Sequence, residues 1–251
     1  METTRRPFQG VLNILSFNRH FYLWGIAVLA GLLLSRFWID WPGILFWIVI
    51  VAFLYGLIMP LIVSAYVYDF SGYYKFDWLN DLKATNQNAR NVVNINAGFD
   101  ETSFILKERF PNADLKVFDF YDPSHHTEVA IKRARKVSIV YPGMQHIPSD
   151  KIPLDDQAAD FIFLLSAVHE IRSHEEKIRF LQECHRICRP GGQLIVVEHL
   201  RDFPNFLAFT IGFTHFFSRN TWKDAIARAG FNSIAETKFT PFMSIFHCKT
   251  V

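Results

Sequence analysis

Cysteine is scarce in this chain of 251 residues, which contains three. Three cysteines cannot form the disulfide framework of a small secreted domain. Cys184 and Cys188 lie four residues apart, a spacing that supplies too few ligands for a zinc site. We therefore interpret the cysteines as free thiols in a reducing compartment, and we predict no metal site.

A large excess of positive charge is also lacking. The formal net charge is +2, which gives no electrostatic reason to expect a nucleic-acid partner. Half of the residues are hydrophobic and only 20% are charged, so the chain is not of the disordered class. Its length allows one domain together with an appendage.

Charged side chains are missing altogether from two N-terminal stretches. Residues 20–35 and 41–68 contain no Asp, Glu, Lys or Arg. A helix needs roughly 20 apolar residues to cross the hydrocarbon core of a bilayer. The second stretch is long enough and the first is marginal. We predict a transmembrane helical hairpin within residues 1–70, with a buried hairpin of a soluble protein as the alternative.

The arginines around this hairpin predict its orientation. Arg5, Arg6 and Arg19 precede the first stretch, whereas the turn carries only Arg36 beside Asp40. Positively charged residues favour the cytoplasmic side of a membrane. A hairpin leaves both of its ends on the same side, so we expect membrane localisation with the remaining chain on the cytoplasmic side.

The rest of the chain alternates apolar runs with helical segments. Residues 71–89 are polar and aromatic and predict an interfacial connector, and residues 90–251 form the next domain. The alternation predicts a Rossmann-like α/β fold, with a mostly parallel seven-stranded sheet and helices on both faces. The predicted helices are 101–109, 127–134, 174–189 and 221–229. The predicted strands are 91–96, 115–120, 137–141, 160–166 and 193–198, followed by antiparallel strands 233–239 and 242–248.

One long segment of this domain carries a family resemblance. Within residues 160–198, a strand that starts with Asp is followed by a helix with Glu183 and Arg186, and then by the turn Arg189–Gly192 into a second strand. Together with the order of elements over about residues 90–251, this segment resembles the class I S-adenosylmethionine-dependent methyltransferases. The resemblance implies an enzyme that uses S-adenosylmethionine as its cofactor.

The resemblance also implies which residues bind the cofactor, at the carboxyl ends of the strands. Asp119 matches the acidic residue that accepts hydrogen bonds from both ribose hydroxyls, and a solvated Asp or a helix N-cap is the alternative. The usual Gly-x-Gly-x-Gly loop is reduced here to a single glycine, Gly98. The complete set of predicted cofactor contacts is Asn96, Ala97, Gly98, Asp119, Phe120, Met144, Gln145 and Ser166.

Histidines are the candidates for a catalytic base. A hydroxyl or phenol acceptor benefits from a base, and His is the natural choice near neutral pH. His169, His199 and His215 follow the predicted central strands, and Glu170 could orient an imidazole. Each of these histidines could equally be a hydrogen-bonded structural residue.

Six phenylalanines in residues 202–218 favour an aromatic or lipid-like acceptor. We therefore predict a membrane-anchored methyltransferase that acts on a hydrophobic phenolic, hydroxyl or lipid-like molecule. The alternatives are a catalytically inactive membrane-tethered scaffold and a phospholipid N-methyltransferase. The sequence does not predict the oligomeric state.

Overall fold

Helices make up the N-terminal part of the chain. The computed structural model describes residues 5–81, 89–124 and 129–250. A π-helical turn, Ala65–Phe70, extends the third helix, and a 3-10 turn, Tyr73–Lys75, follows it. The four helices of this part are α1 (Gln9–Phe17), α2 (Arg19–Ser35), α3 (Gly43–Ser64) and α4 (Trp78–Asp81).

α2 and α3 pack against each other at a glycine. A Cβ atom on Gly25 would lie 2.6 Å from Cδ2 of Leu57, so a larger residue at this position would displace the side chain of Leu57. Among the described residues, the helix Gly43–Lys75 is long and apolar enough to cross a membrane. α2 has only 17 residues and is too short by itself to count as a membrane span. It becomes long enough only together with α1, and the two helices meet at a bend of 76°.

The second domain contains the predicted sheet of seven strands. Their order in the sheet is β3-β2-β1-β4-β5-β7-β6, and β7 runs antiparallel to both β5 and β6 whereas the other pairs are parallel. The strands are β1 (Asn91–Asn96), β2 (Asp114–Asp119), β3 (Gln145–His146), β4 (Ala159–Leu165), β5 (Cys188–His199), β6 (Ser233–Thr240) and β7 (Met243–Lys249). The helices between and after them are α5 (Ser103–Arg109), α6 (Val129–Arg135), α7 (His174–Ile187), α8 (Phe203–Phe209) and α9 (Arg219–Arg228).

Both faces of this sheet are covered. Every residue of β4 is buried, as expected for a central parallel strand with helices on both sides. Ile162 packs in a core with α7 and α9, whereas its neighbour Phe163 packs in a second core on the opposite face. Val63 and Val67, at the end of the apolar helix, belong to that second core. The C-terminal end of the apolar helix therefore packs against the sheet.

The predicted third strand is wrong. Residues 137–141 are not a strand, and β3 consists of Gln145 and His146 alone. The side chains of Val137, Ile139 and Val140 are exposed, so the β-branched run has no buried face that would hold it in the sheet. The other predicted strands and helices are confirmed with shifted ends, except that residues 127–128 and 82–88 lie outside the described residues.

Candidate active site

The loop after β1 forms a cleft at the carboxyl edge of the sheet. Asn96 accepts a hydrogen bond from the backbone N–H of Gly98 through its Oδ1 atom, at 2.8 Å. Gly98 has φ +86°, a conformation that favours glycine. A Cβ atom at this position would lie 1.7 Å from Nη1 of Arg135. The backbone conformation therefore favours glycine at position 98, and a larger residue there would also displace the guanidinium group of Arg135.

Asp119 lies in this cleft, at the end of β2. Its carboxylate is buried, and its Oδ1 atom accepts a hydrogen bond from the backbone N–H of Tyr121. Its Oδ2 atom lies 2.7 Å from Nη1 of Arg135 and 3.1 Å from Nδ1 of His146. Asn96 and Asp119 are paired in the register of β1 and β2, which brings the two predicted cofactor residues side by side.

Asp100 contributes a free acceptor to the same cleft. Its Oδ1 atom accepts hydrogen bonds from the backbone N–H groups of Thr102 and Ser103, at the start of α5. Its Oδ2 atom is buried and has no hydrogen-bond partner among the described residues. Because an unpaired buried carboxylate oxygen is costly, this atom indicates a place where a bound ligand donates a hydrogen bond.

Arg135 narrows the cleft. Its guanidinium group lies over the ring of Tyr121, 4.0 Å from the centroid, while it contacts Asp119. The remaining cleft has a volume of about 80 Å³. Pockets for small ligands typically measure roughly 300–1,000 Å³. Sequence reasoning named His146 only as an alternative to Gln145 for a hydrogen bond to adenine, and it did not identify Arg135, which lies in the basic run of residues 132–136.

The other predicted cofactor residues lie at different depths. Met144 lines the cleft, whereas Gln145 is exposed and is not among the lining residues. Phe120 is buried and packs against Phe180, with ring centroids 5.2 Å apart.

Ala97 is buried beside Gly98. Ser166 ends β4 with φ +52° and donates its backbone N–H to the carbonyl of Val197.

His169 lies at the same edge of the sheet and is held by a buried carboxylate. It lies in a 3-10 turn, Val168–Glu170, that follows β4. Its Nδ1 atom is 2.8 Å from Oε2 of Glu198, and its backbone N–H donates to Oε1 of the same carboxylate. Glu198 is buried near the end of β5. The bidentate contact fixes the orientation of the imidazole ring.

Two carboxylates control the charge of His169. Burial by itself lowers the pKa of this imidazole, but the charge of Glu198 and the hydrogen bonds of Glu170 and Glu198 outweigh burial and raise the pKa to about 10. Nε2 of His169 lies 3.5 Å from Oε1 of Glu170. His169 is therefore an imidazolium at neutral pH in the ligand-free protein.

His215 completes a cluster with His169 and Glu170. The rings of the two histidines are 5.3 Å apart in an edge-to-face arrangement. Ligand-type atoms of the three residues all lie within 4.8 Å of one another. This geometry is compatible with a divalent metal ion, although the sequence analysis judged the histidines too scattered and predicted no metal site.

His199 is buried and hydrogen-bonded at both ring nitrogens. Nε2 lies 2.9 Å from the hydroxyl of Tyr68, and Nδ1 lies 2.9 Å from the carbonyl oxygen of Phe242. Burial lowers the pKa of His199 to about 4, so the ring is neutral. Phe216 stacks on it at 5.0 Å. The structure thus brings His169 and His215 together and places His199 in a packed, neutral environment.

A wider groove lies at the opposite edge of the sheet. It has a volume of about 400 Å³ and is lined by residues 150–155 together with Glu183 and Arg186. Arg186 pairs with Glu183 and donates to the carbonyl of Ile152, so these polar groups already have partners. The groove is near the amino end of β4, whereas ligands of open α/β sheets bind at carboxyl ends.

Comparison with known proteins agrees with the geometry. Residues 93–196 match the family model of a methyltransferase domain. No curated protein sequence matches the chain. A crystal structure of an S-adenosylmethionine-dependent methyltransferase from Aquifex aeolicus is similar with a TM-score of 0.52 and 18% identity, covering 73% of this chain and 94% of that one.

Two further structures have the same fold. A protein from Pyrococcus horikoshii aligns with a TM-score of 0.51 and 14% identity over 70% of this chain and 90% of its own. The human N-acetylserotonin methyltransferase in complex with S-adenosylmethionine aligns with a TM-score of 0.53 and 16% identity. That alignment covers 99% of this chain and 72% of the human one.

The residues of the cleft fit this cofactor. Gly98 leaves room for a close backbone approach, Asp119 offers a carboxylate suited to a ribose diol, and Asp100 offers an unpaired buried acceptor. Arg135 occupies the space next to Gly98 and pairs with Asp119. Residues 93–196 thus match a methyltransferase-domain model, the sheet has the fold of S-adenosylmethionine-dependent methyltransferases, and the cleft residues suit S-adenosylmethionine as cofactor.

Proposed function

We propose that the protein is a membrane-anchored methyltransferase that methylates a phenolic or hydroxyl oxygen of a hydrophobic acceptor. The observation that carries this proposal is the contact between His169 and Glu198, at the edge where the cofactor cleft opens. Parallel strands β1 and β4 are neighbours, so the residues after them face the same edge. The aromatic side chains of residues 203–217 lie beside this edge and suit an apolar acceptor.

His169 would hold the proton that the acceptor releases. Bound S-adenosylmethionine supplies an activated methyl group on a sulfonium. The acceptor hydroxyl would give its proton to Nε2 of the neutral form of His169 as its oxygen takes this methyl group, and the sulfide product would keep the electron pair of the carbon–sulfur bond. Glu198 then stabilises the resulting imidazolium through Nδ1. A phenol with a pKa near about 10 matches the proton affinity of this histidine closely.

The apolar helix supports membrane anchoring. Its side chains Ile44, Trp47, Ile48 and Val51 are exposed, which is unfavourable in water and favourable in hydrocarbon. The excess of arginines before the hairpin favours a cytoplasmic location of the sheet domain. Anchoring would hold the active site near acceptors dissolved in the bilayer and raise their effective concentration.

Methyl transfer in lipid vesicles tests the proposal. Purified full-length protein is incubated with labelled S-adenosylmethionine and vesicles that contain either an alkyl-chain phenol or phosphatidylethanolamine. We expect label in the phenol and not in the phospholipid amine. Label in the amine instead would support a phospholipid N-methyltransferase and would overturn the proposed oxygen chemistry.

The narrow cleft favours one alternative, a domain without catalytic activity. In that case Arg135 would remain paired with Asp119, and the protein would serve as a membrane-tethered scaffold. Titration calorimetry with S-adenosylmethionine and S-adenosylhomocysteine, in detergent and in vesicles, separates the two functions. We expect both ligands to bind; absence of binding in both media would support the scaffold.

A further inference from the structure

The segment after β5 has an exposed apolar surface next to the membrane-type helix. Residues 203–215, which comprise α8 and the 3-10 turn Thr210–His215, contain no Asp, Glu, Lys or Arg. Ile211 is 82% exposed and Phe203 is 69% exposed, and Phe206 and Leu207 also face outwards. We call residues 203–215 the apolar lid. An exposed apolar surface of this kind is typical of a contact with a membrane or a partner.

A hydrogen bond joins the apolar lid to α3. The hydroxyl of Tyr55 donates to the backbone carbonyl of Leu207, at 2.7 Å. Leu207 belongs to the last turn of α8, where backbone carbonyls have no partner within the helix. In hydrocarbon no water is present to satisfy such a carbonyl, so a protein donor must do so. Tyr55 supplies that donor from the apolar helix itself.

The position of Tyr55 along α3 sets the depth of the lid. Tyr55 lies 12 residues after Gly43, the first residue of the helix. At about 1.5 Å per residue this distance is about 18 Å, which is less than the roughly 30 Å thickness of the hydrocarbon core. If α3 crosses the membrane from Gly43, Tyr55 and Leu207 lie within the hydrocarbon and not above it.

Charged side chains bond to the lid where it meets the sheet domain. Arg201 donates to the carbonyls of Phe216 and Thr214, and Arg172 donates to the carbonyl of His215. These bonds satisfy the backbone at the domain side of the lid, while its outer side remains apolar. At the inner end, His215 packs against His169.

We propose that the apolar lid is immersed in the lipid bilayer that α3 crosses, and that the acceptor reaches His169 from the bilayer along this lid. The occupant of the apolar surface is thus lipid acyl chains. The continuity of the lid with α3 through Tyr55 and Leu207 carries the inference, which rests on the proposed membrane anchoring. It makes the acceptor a molecule dissolved in the membrane and not one delivered from water.

Depth-dependent quenching tests the immersion of the lid without any assay of methyl transfer. A single cysteine is introduced by Ile211→Cys in the full chain and labelled with an environment-sensitive fluorophore; the three native cysteines are buried. The protein is then reconstituted into phosphatidylcholine vesicles with and without doxyl-labelled acyl chains. Ile48→Cys in α3 serves as the membrane reference and Asp114→Cys, at the amino end of β2, as the aqueous control.

We expect the labels at positions 211 and 48 to lose most of their fluorescence in doxyl vesicles, and the label at position 114 to keep its fluorescence. Quenching at position 48 without quenching at position 211 would overturn the immersion of the lid and leave the anchor intact. Absence of quenching at both positions would overturn membrane anchoring itself. Circular dichroism of each labelled protein checks that the fold is retained.

Discussion

Nδ1 of His169 lies 2.8 Å from Oε2 of Glu198, although the two residues are 29 positions apart in the sequence. The parallel register of β4 and β5 brings them together, with Leu165 opposite Val197 just before the two side chains. His169 follows the end of one strand and Glu198 lies near the end of the next. The pair is thus a direct product of strand order, and its chemistry can be tested by substitution.

Removal of the imidazole should abolish most turnover. His169→Gln is expected to lower kcat by roughly 10²–10⁴-fold, the usual contribution of a general base, with little change in the affinity for S-adenosylmethionine. Wild-type kcat/KM should rise with pH up to about 10, because the neutral imidazole becomes more populated. His174→Gln is the control, since that residue pairs with Asp224 at the surface. Equal turnover of His169→Gln and wild type would contradict the assignment.

The carboxylate partner should set the pH profile. Because Glu198 stabilises the imidazolium, Glu198→Gln is expected to lower the pKa of His169 and shift the rising limb of kcat/KM towards lower pH. A residue with a purely structural role would change the amplitude of the profile without moving its midpoint. The midpoint is measured with an aliphatic alcohol acceptor, which does not titrate in this range.

Asp119 should contribute directly to cofactor affinity. Asp119→Asn is expected to weaken S-adenosylmethionine binding by about tenfold to a hundredfold, because hydrogen bonds to a charged acceptor are worth about 1.5–3 kcal/mol. Titration calorimetry measures this change. Asp114→Asn, at the other end of the same strand, should bind as the wild type does. Unchanged affinity of the Asp119 variant would refute its role as the ribose ligand.

Arg135 should compete with the cofactor for Asp119. Arg135→Ala frees the carboxylate and widens the cleft, so the Kd for S-adenosylmethionine should fall by about fivefold, the equivalent of about 1 kcal/mol for a partly exposed ion pair. Lys132→Ala, on the same helix, is the matched control. A higher Kd in Arg135→Ala would show that this arginine binds the cofactor and does not exclude it.

A buried lysine should make stability depend on pH. Nζ of Lys177 has no hydrogen-bond partner among the described residues and lies 3.0 Å from the ring centroid of Phe217. Burial lowers the pKa of Lys177 to about 7. Between about pH 7 and about pH 10.5, the usual pKa of lysine in an unfolded chain, Lys177 binds more protons in the unfolded state than in the folded state. The free energy of unfolding therefore increases as the pH rises through this range.

Substitution of Lys177 should remove this pH-dependent increase in stability. The difference in Tm between Lys177→Met and wild type, measured by thermal unfolding in detergent, is expected to favour the variant at pH 7 and to shrink towards pH 10. Lys223→Met, in which a lysine at the surface of α9 is replaced, is the matched control. A constant difference for Lys177→Met would contradict a neutral lysine in the folded protein.

Much of the fold could be predicted from local sequence signals. The apolar run of β4 reads as a strand buried on both faces, and Gly230 marks the end of α9 with φ +106°. The third strand could not be predicted, because residues 137–141 have the composition of a strand but lack a partner that buries them. Hydrophobic patterning indicates what could be buried, and tertiary packing decides what is.

The candidate site divides in the same way. The sequence alone determined the apolar N-terminal helix, the alternation of strands and helices, and the polar residues at strand ends, because each of these features depends on residues that are close together in the sequence. Only the tertiary structure decided that Arg135 contacts Asp119. It also decided that Glu198 holds His169, whereas His199 is packed and neutral. The hydrogen bond from Tyr55 to the carbonyl of Leu207 likewise depends on how the helices pack. These contacts join residues that are distant in the sequence. The charge states of the residues depend on burial, which a local sequence pattern does not predict.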